Sequence, residues 1–197
     1  MKLFSIVVMT LLLLISCTEK KEEAASPDSG EKNIFEEVKE QTIRNPNDAE
    51  AWYHLADLYE RSELYKEEID ALKKVVAITP KNGNAYVRMG NAYNRLGQYE
   101  EAIKNYTTAI KYFPKNPVLY NNLAVSYGKT NKGEEEISAL EKAISLRPRY
   151  ATARYNLGVA MLKKGRPDLA KNQYQELLKF DAGVAQSLKK EIDAKRK

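Results

Sequence analysis

The chain has one cysteine and one histidine, which narrows the chemistry it can carry. With Cys17 alone, no disulfide can close within the chain and no metal site can be built on paired thiolates. His54 is the only histidine, and the sequence offers no Ser-His-Asp or Cys-His arrangement to build around it; a surface or groove-lining role suits it better. The acidic residues fall at helix-surface spacing and match no calcium loop. No glycine-rich phosphate loop follows a strand, because no segment alternates as a strand does. No dense basic run carries interleaved aromatics, which argues against nucleic acid as a partner. The net charge of +5 is modest for a chain that is 30% charged. These absences leave no catalytic residue, metal or cofactor to assign and point away from an enzyme.

Long apolar runs are scarce as well. One follows Lys2, from Leu3 to Ile15. It is shorter than the roughly 20 residues that cross a bilayer and fits the core of a signal peptide.

What the sequence does have is a period of thirty-four residues. Pro46, Pro80, Pro114 and Pro148 keep it, and so do Tyr59, Tyr93, Tyr127 and Met161. A repeat of this length predicts stacked helical units. With Ala49 as the first residue of a unit, positions four, seven, eight and eleven read Trp52, Leu55, Ala56 and Tyr59. They recur as Tyr86, Met89, Gly90, Tyr93, then Tyr120, Leu123, Ala124, Tyr127, then Arg154, Leu157, Gly158, Met161. Steps of three and four put them on one helix face. The small eighth residue lets a second helix come close. That second helix carries Ile69, Leu72, Val75 and Val76; then Ala102, Ile103, Tyr106, Ala109 and Ile110; then Ile137, Leu140, Ala143 and Ile144; then Ala170, Tyr174, Leu177 and Leu178. Gly97, Gly133 and Gly165 are the expected breakers between paired helices. Each proline ends a unit, and Asp48, Asn82 and Asn116 stand where a side chain caps the next helix.

The pattern W-x-x-L-x-x-x-Y, then A-x-x-x-Y-x-x-A and Pro, resembles the tetratricopeptide repeat. The resemblance implies an all-α fold, a right-handed α-solenoid of four helix hairpins with flanking N- and C-terminal helices. The units fall at 49–82, 83–116, 117–150 and 151–182. A capping helix over 31–46 has the phase of a second helix, and another over 183–197 places Val184, Leu188 and Ile192 on one side. Glu68 and Glu136 stand where a small residue is usual, and Arg154 where an aromatic is, which predicts looser packing there. Such a scaffold implies a protein or peptide ligand.

The N-terminus carries a second resemblance. Leu14-Ile15-Ser16-Cys17 is similar to the bacterial lipoprotein box, implying a signal peptide over 1–16, a diacylglyceryl group on Cys17 and a tether over 17–30. Two or more acyl chains anchor a protein stably, so the implied place is the bacterial cell envelope. Thr18, in place of an inner-membrane retention aspartate, favours the outer membrane. Lys20-Lys21-Glu22-Glu23 reads as a solvated linker or as a surface-export signal. Lipoproteins of this kind serve outer-membrane assembly, pili and secretins, or peptidoglycan remodelling.

In the repeat family, positions two, five, nine and twelve of the first helices line the ligand groove. Here the stripe grades from acidic through amide to apolar, and its candidate contact residues are Tyr53, Asp57, Val87, Asn91, Asn121, Val125, Tyr155 and Val159. It suits an extended or helical peptide with a basic end and an apolar end; the competing reading is that Val125 and Val159 rest on neighbouring helices. Position thirteen gives Arg61, Arg95, Lys129 and Lys163, placed to meet helix C-terminal carbonyls or acidic partner groups. Asn91, Asn122 and Asn156 invite comparison with a carboxylate clamp. Tyr53 or Val87, with Thr152 and Asn156, stand where that clamp needs lysine and arginine, so it is rejected. A glycan or small molecule held by Tyr53 and Tyr155 is the alternative ligand, and an enzyme subunit using His54 the remote one.

Overall fold

The computed structural model describes residues 29–195; the expected signal peptide, Cys17 and most of the expected tether lie outside them. Among the described residues there are ten helices and no strand. They are α1 (Ser29–Arg44), α2 (Ala49–Arg61), α3 (Tyr65–Ile78), α4 (Gly83–Arg95), α5 (Tyr99–Tyr112), α6 (Pro117–Lys129), α7 (Gly133–Leu146), α8 (Ala151–Lys163), α9 (Pro167–Leu178) and α10 (Ala182–Ala194). No helix among these residues is long and apolar enough to cross a membrane. From Glu37 onward the chain is one compact unit.

The hairpins pair α2 with α3, α4 with α5, α6 with α7 and α8 with α9, and each second helix packs on the first helix of the next unit. Inside the series α4 touches α6 and α6 touches α8. First helices therefore line one side of the α-solenoid. The C-terminal α10 packs on both α8 and α9, as the first helix of a further unit would. Its Ala185, Leu188 and Ile192 are buried, and Lys189, Lys190 and Lys195 are exposed.

Local chemistry fixes the period. Asp48 accepts from the amides of Glu50 and Ala51, Asn82 from that of Ala85, and Asn116 from that of Val118. Asp181 does the same for α10 through the amide of Val184. Pro46, Pro80, Pro114 and Pro148 each stand two residues past a helix end, at Arg44, Ile78, Tyr112 and Leu146. Their carbonyls are taken up by position four of the next unit. Trp52 Nε1 donates to the carbonyl of Pro46 at 3.0 Å, Tyr86 Oη to Pro80 at 3.3 Å and Tyr120 Oη to Pro114 at 3.1 Å. Arg154 Nε donates to the carbonyl of Pro148 at 2.8 Å and its Nη1 to Gln173 Oε1 at 2.9 Å. The looser packing expected at Arg154 is thus corrected: a guanidinium makes the same bond as an aromatic heteroatom.

The turn inside each hairpin places one residue in the left-handed region: Glu63 at φ 57°, Gly97 at 72°, Asn131 at 58° and Gly165 at 70°. In unit three Asn131, not Gly133, breaks the helix, and Gly133 opens α7. Asparagine enters that region readily, whereas Glu63 bears a cost of roughly 1–2 kcal/mol.

Buried side chains run the length of the hairpins, including Leu72, Tyr106, Leu119, Leu140 and Leu177. Each such apolar side chain contributes about 1.5–3 kcal/mol on leaving water. The small eighth residue acts as expected: a Cβ on Gly90 would stand 2.6 Å from Tyr106 Cε1. Leu178 departs from the expected apolar set. It is exposed because α9 has 12 residues where α3, α5 and α7 have 14.

Candidate functional site: the first-helix face

Over the first two repeats the charges of this face meet one another. Arg88, on α4, reaches back toward α2 and α3. Its Nε donates to Glu68 Oε1 at 3.3 Å and its Nη1 to Asp57 Oδ1 at 3.5 Å. Its Nη2 stands 2.9 Å from Glu60 Oε2, outside hydrogen-bond geometry, so that contact is electrostatic. The guanidinium lies 5.0 Å from the ring centroid of Tyr53, a cation–π contact. Glu68 is 2% exposed. Burial pushes its carboxyl up to about 7, although Arg88 pulls it down; Glu60 and Asp57 add repulsion. A carboxylate at a small-residue position therefore does not loosen the packing at Glu68. It is buried and held by an arginine from the next unit.

The middle of the face is an amide network. Tyr106 Oη donates to Asn91 Oδ1 at 2.8 Å and accepts from Asn94 Nδ2 at 3.2 Å. Ser126 Oγ donates to Asn94 Oδ1 at 2.9 Å, and Asn122 Nδ2 to Asn91 Oδ1 at 3.4 Å. Farther along, Asn156 Nδ2 donates to Asn121 Oδ1 at 3.0 Å. Burial raises the Tyr106 phenol to about 12, so it stays neutral and able to donate. A cavity of about 520 Å³ lies here, lined by Glu60, Glu68, Asn91, Asn94, Asn122 and Val125 among others.

Over repeats three and four the lining changes. Val125, Gly128, Tyr155, Asn156 and Val159 surround a cavity of about 430 Å³ with Glu136 among its walls. Val125 is 38% exposed. Tyr155 and Val159 pack partly on the core that holds Leu157 and Leu188. Glu136 is 8% exposed, again buried rather than loose, and burial raises its carboxyl against the pull of Lys163. Among the described residues no cluster of His, Cys, Asp and Glu could hold a metal ion.

Models of one repeat family together cover residues 38–185. Those described as tetratricopeptide repeat match 38–83, 71–104, 118–150 and 137–185, and one described as TPR repeat matches 90–131. The chain is a tetratricopeptide repeat protein. Similar solved structures share the fold. A crystal structure of MamA is 26% identical, with 76% of this chain and 87% of that one covered and a TM-score of 0.72. A MamA structure from Desulfovibrio magneticus RS-1 is 20% identical, covering 78% and 86%, with a TM-score of 0.72. YrrB, described as a TPR protein with an unusual peptide-binding site, is 20% identical, covering 82% and 84%, with a TM-score of 0.74. No curated protein matches the chain by sequence. The tetratricopeptide fold is that of a protein-interaction scaffold.

Within this tetratricopeptide array the candidate contact residues fall into three groups. Val125, Tyr155 and Val159 meet at one cavity, and Asn91 with Val125 at another. Tyr53 and Asp57 are engaged by Arg88, and Val87 packs partly on the core around Leu119. Asn121 is 6% exposed and bonded on both sides, to Asn122 and Asn156; it is an interior brace, not a contact surface. His54 and Tyr53 line a recess of about 830 Å³ bounded by Thr79, Pro80 and Lys81. The position-thirteen cations each end a first helix, which is the dipole placement. Arg88 was not singled out by position, and Tyr106 was read only as part of the apolar set of a second helix, not as the centre of an amide network. The two glutamates at a small-residue position were the available signal for Arg88.

Proposed function

We propose that this protein is a lipid-anchored adaptor of the bacterial cell envelope. It captures a partner protein by a peptide segment laid along the first-helix face over repeats three and four. One observation carries the choice of repeats. Asp57, Glu60 and Glu68 share Arg88, and Asn91 and Asn94 bond to Tyr106, whereas Val125 presents an apolar surface beside an open cavity. The peptide site of YrrB is a fold-level analogy. The aromatic pair suited to a glycan is weakened because Arg88 lies over one face of the Tyr53 ring. Recognition supplies the mechanism, and the Cys17 anchor raises the effective concentration at the membrane.

A photo-crosslinker placed at Tyr155 in living cells tests the site. Introducing Val125→Asp with Val159→Asp should cut the yield of the trapped partner at least about tenfold, since stranding charge against an apolar segment costs more than the 1.4 kcal/mol that tenfold represents. An unchanged adduct discards the site. Placement is tested separately. Cys17→Ser should move the protein from the membrane pellet to the soluble fraction, because the acyl chains contribute about 0.8 kcal/mol per buried CH₂. Retention in the pellet would remove the lipid anchor.

A further inference from the structure

Two buried glutamates stand sixty-eight residues apart, at the same position of alternate repeats, and their surroundings differ in one respect. Glu68 has a built-in guanidinium; Glu136 has none. The residue that corresponds to Arg88 two units on is Asn156, which turns aside to Asn121 Oδ1. The residue that corresponds to Glu60 is Gly128. A Cβ on Gly128 would stand 2.6 Å from Glu136 Oε1, so the carboxylate occupies the room a side chain would take, and both residues line the cavity. Asp57 corresponds to Val125, which leaves an apolar wall in that cavity. Lys163 Nζ lies 3.8 Å from Glu136 Oε1, an ion pair beyond hydrogen-bond reach, on a side chain that is 55% exposed.

We propose that the cavity over repeat three is a receptor for an arginine side chain of the partner segment, its guanidinium seated on Glu136 as Arg88 is seated on Glu68. This rests on the peptide reading of the same face and adds what the peptide must carry. Arginine suits the site better than lysine. Its planar, weakly hydrated cation enters a buried position at lower desolvation cost and can engage a carboxylate with two donors. The alkyl stem runs against Val125 and Val159 while the head reaches the glutamate. Lys129 and Lys163 repel the newcomer and Glu191, from α10, opposes them; all three line the cavity. At the acidic end the seat on Glu68 is already taken by Arg88.

The test uses the full chain and two fluorescein-labelled heptapeptide pools. Each pool has flanks of valine, alanine and serine. One has a central arginine and the other its neutral isostere citrulline. Fluorescence anisotropy should show the arginine pool binding at least about tenfold tighter, with Glu136→Gln reducing that ratio to below about twofold. Asn156→Arg places an internal guanidinium where Arg88 sits two units earlier, and it should erase the ratio as well. Circular dichroism of each variant checks that helix content is unchanged. Equal binding of both pools by the parent chain, binding of neither, or a ratio that survives in Glu136→Gln overturns the arginine seat. The crosslink at Tyr155 is an independent readout: if it persists in those cases, the peptide reading stands without the seat.

Discussion

Arg88→Leu lowers the stability of the first two repeats by about 3–5 kcal/mol at pH 8, the usual result of stranding a buried charge. The loss is smaller at pH 5. Glu68 titrates near 7 in the folded chain against 4.5 in the unfolded one. A carboxyl raised on folding favours the folded state fully below 4.5, and that contribution is lost as pH rises through 7. Over that window the group alone accounts for about 3 kcal/mol in the parent protein. At pH 5 the folded variant keeps Glu68 neutral and has no buried charge to strand. Urea midpoints followed by circular dichroism at the two pH values check this. The double change Glu68→Ala with Arg88→Leu should restore most of the stability at pH 8 and flatten the pH slope. Alanine is the residue that units two and four carry there, as Ala102 and Ala170. Equal losses at both pH values would mean that Arg88 acts through packing alone.

The second large effect belongs to Tyr106. Its ring is 1% exposed and lies against Gly90, and its hydroxyl joins Asn91 to Asn94. Tyr106→Ala removes a buried aromatic for which no neighbour can substitute, at about 3–5 kcal/mol. Tyr106→Phe keeps the ring and loses only the hydroxyl, which leaves two asparagines short of a partner, at about 1–3 kcal/mol. For a chain of this size the alanine variant should melt roughly 10 °C lower. Thermal scans at 222 nm for both variants give the test. A phenylalanine variant as unstable as the alanine one would show that the network, not the ring, holds repeat two.

Much of the architecture was legible because helix pairing is local. The spacing of Trp52, Leu55 and Tyr59, the caps at Asp48, Asn82 and Asn116, and the prolines each act within a few residues. The departures come from interactions that cross units. Glu68 looked like a poor fit because its partner is Arg88, twenty residues on. Asn121 looked like a contact residue because helix phase places it at position five, but its amide is taken by Asn156 from the next unit. Leu178 follows the phase of earlier units and becomes exposed because α9 stops early. Periodicity shows which way a side chain points along one helix. It does not show whether a neighbouring unit sends a side chain to meet it.

The bond from position four to the carbonyl of the preceding proline spans six residues in all four repeats. Adding or deleting one residue between them would turn the donor away by about 100° around its helix. A change in length by a whole thirty-four-residue unit keeps this joint intact, while a change by one residue inside it breaks the bond.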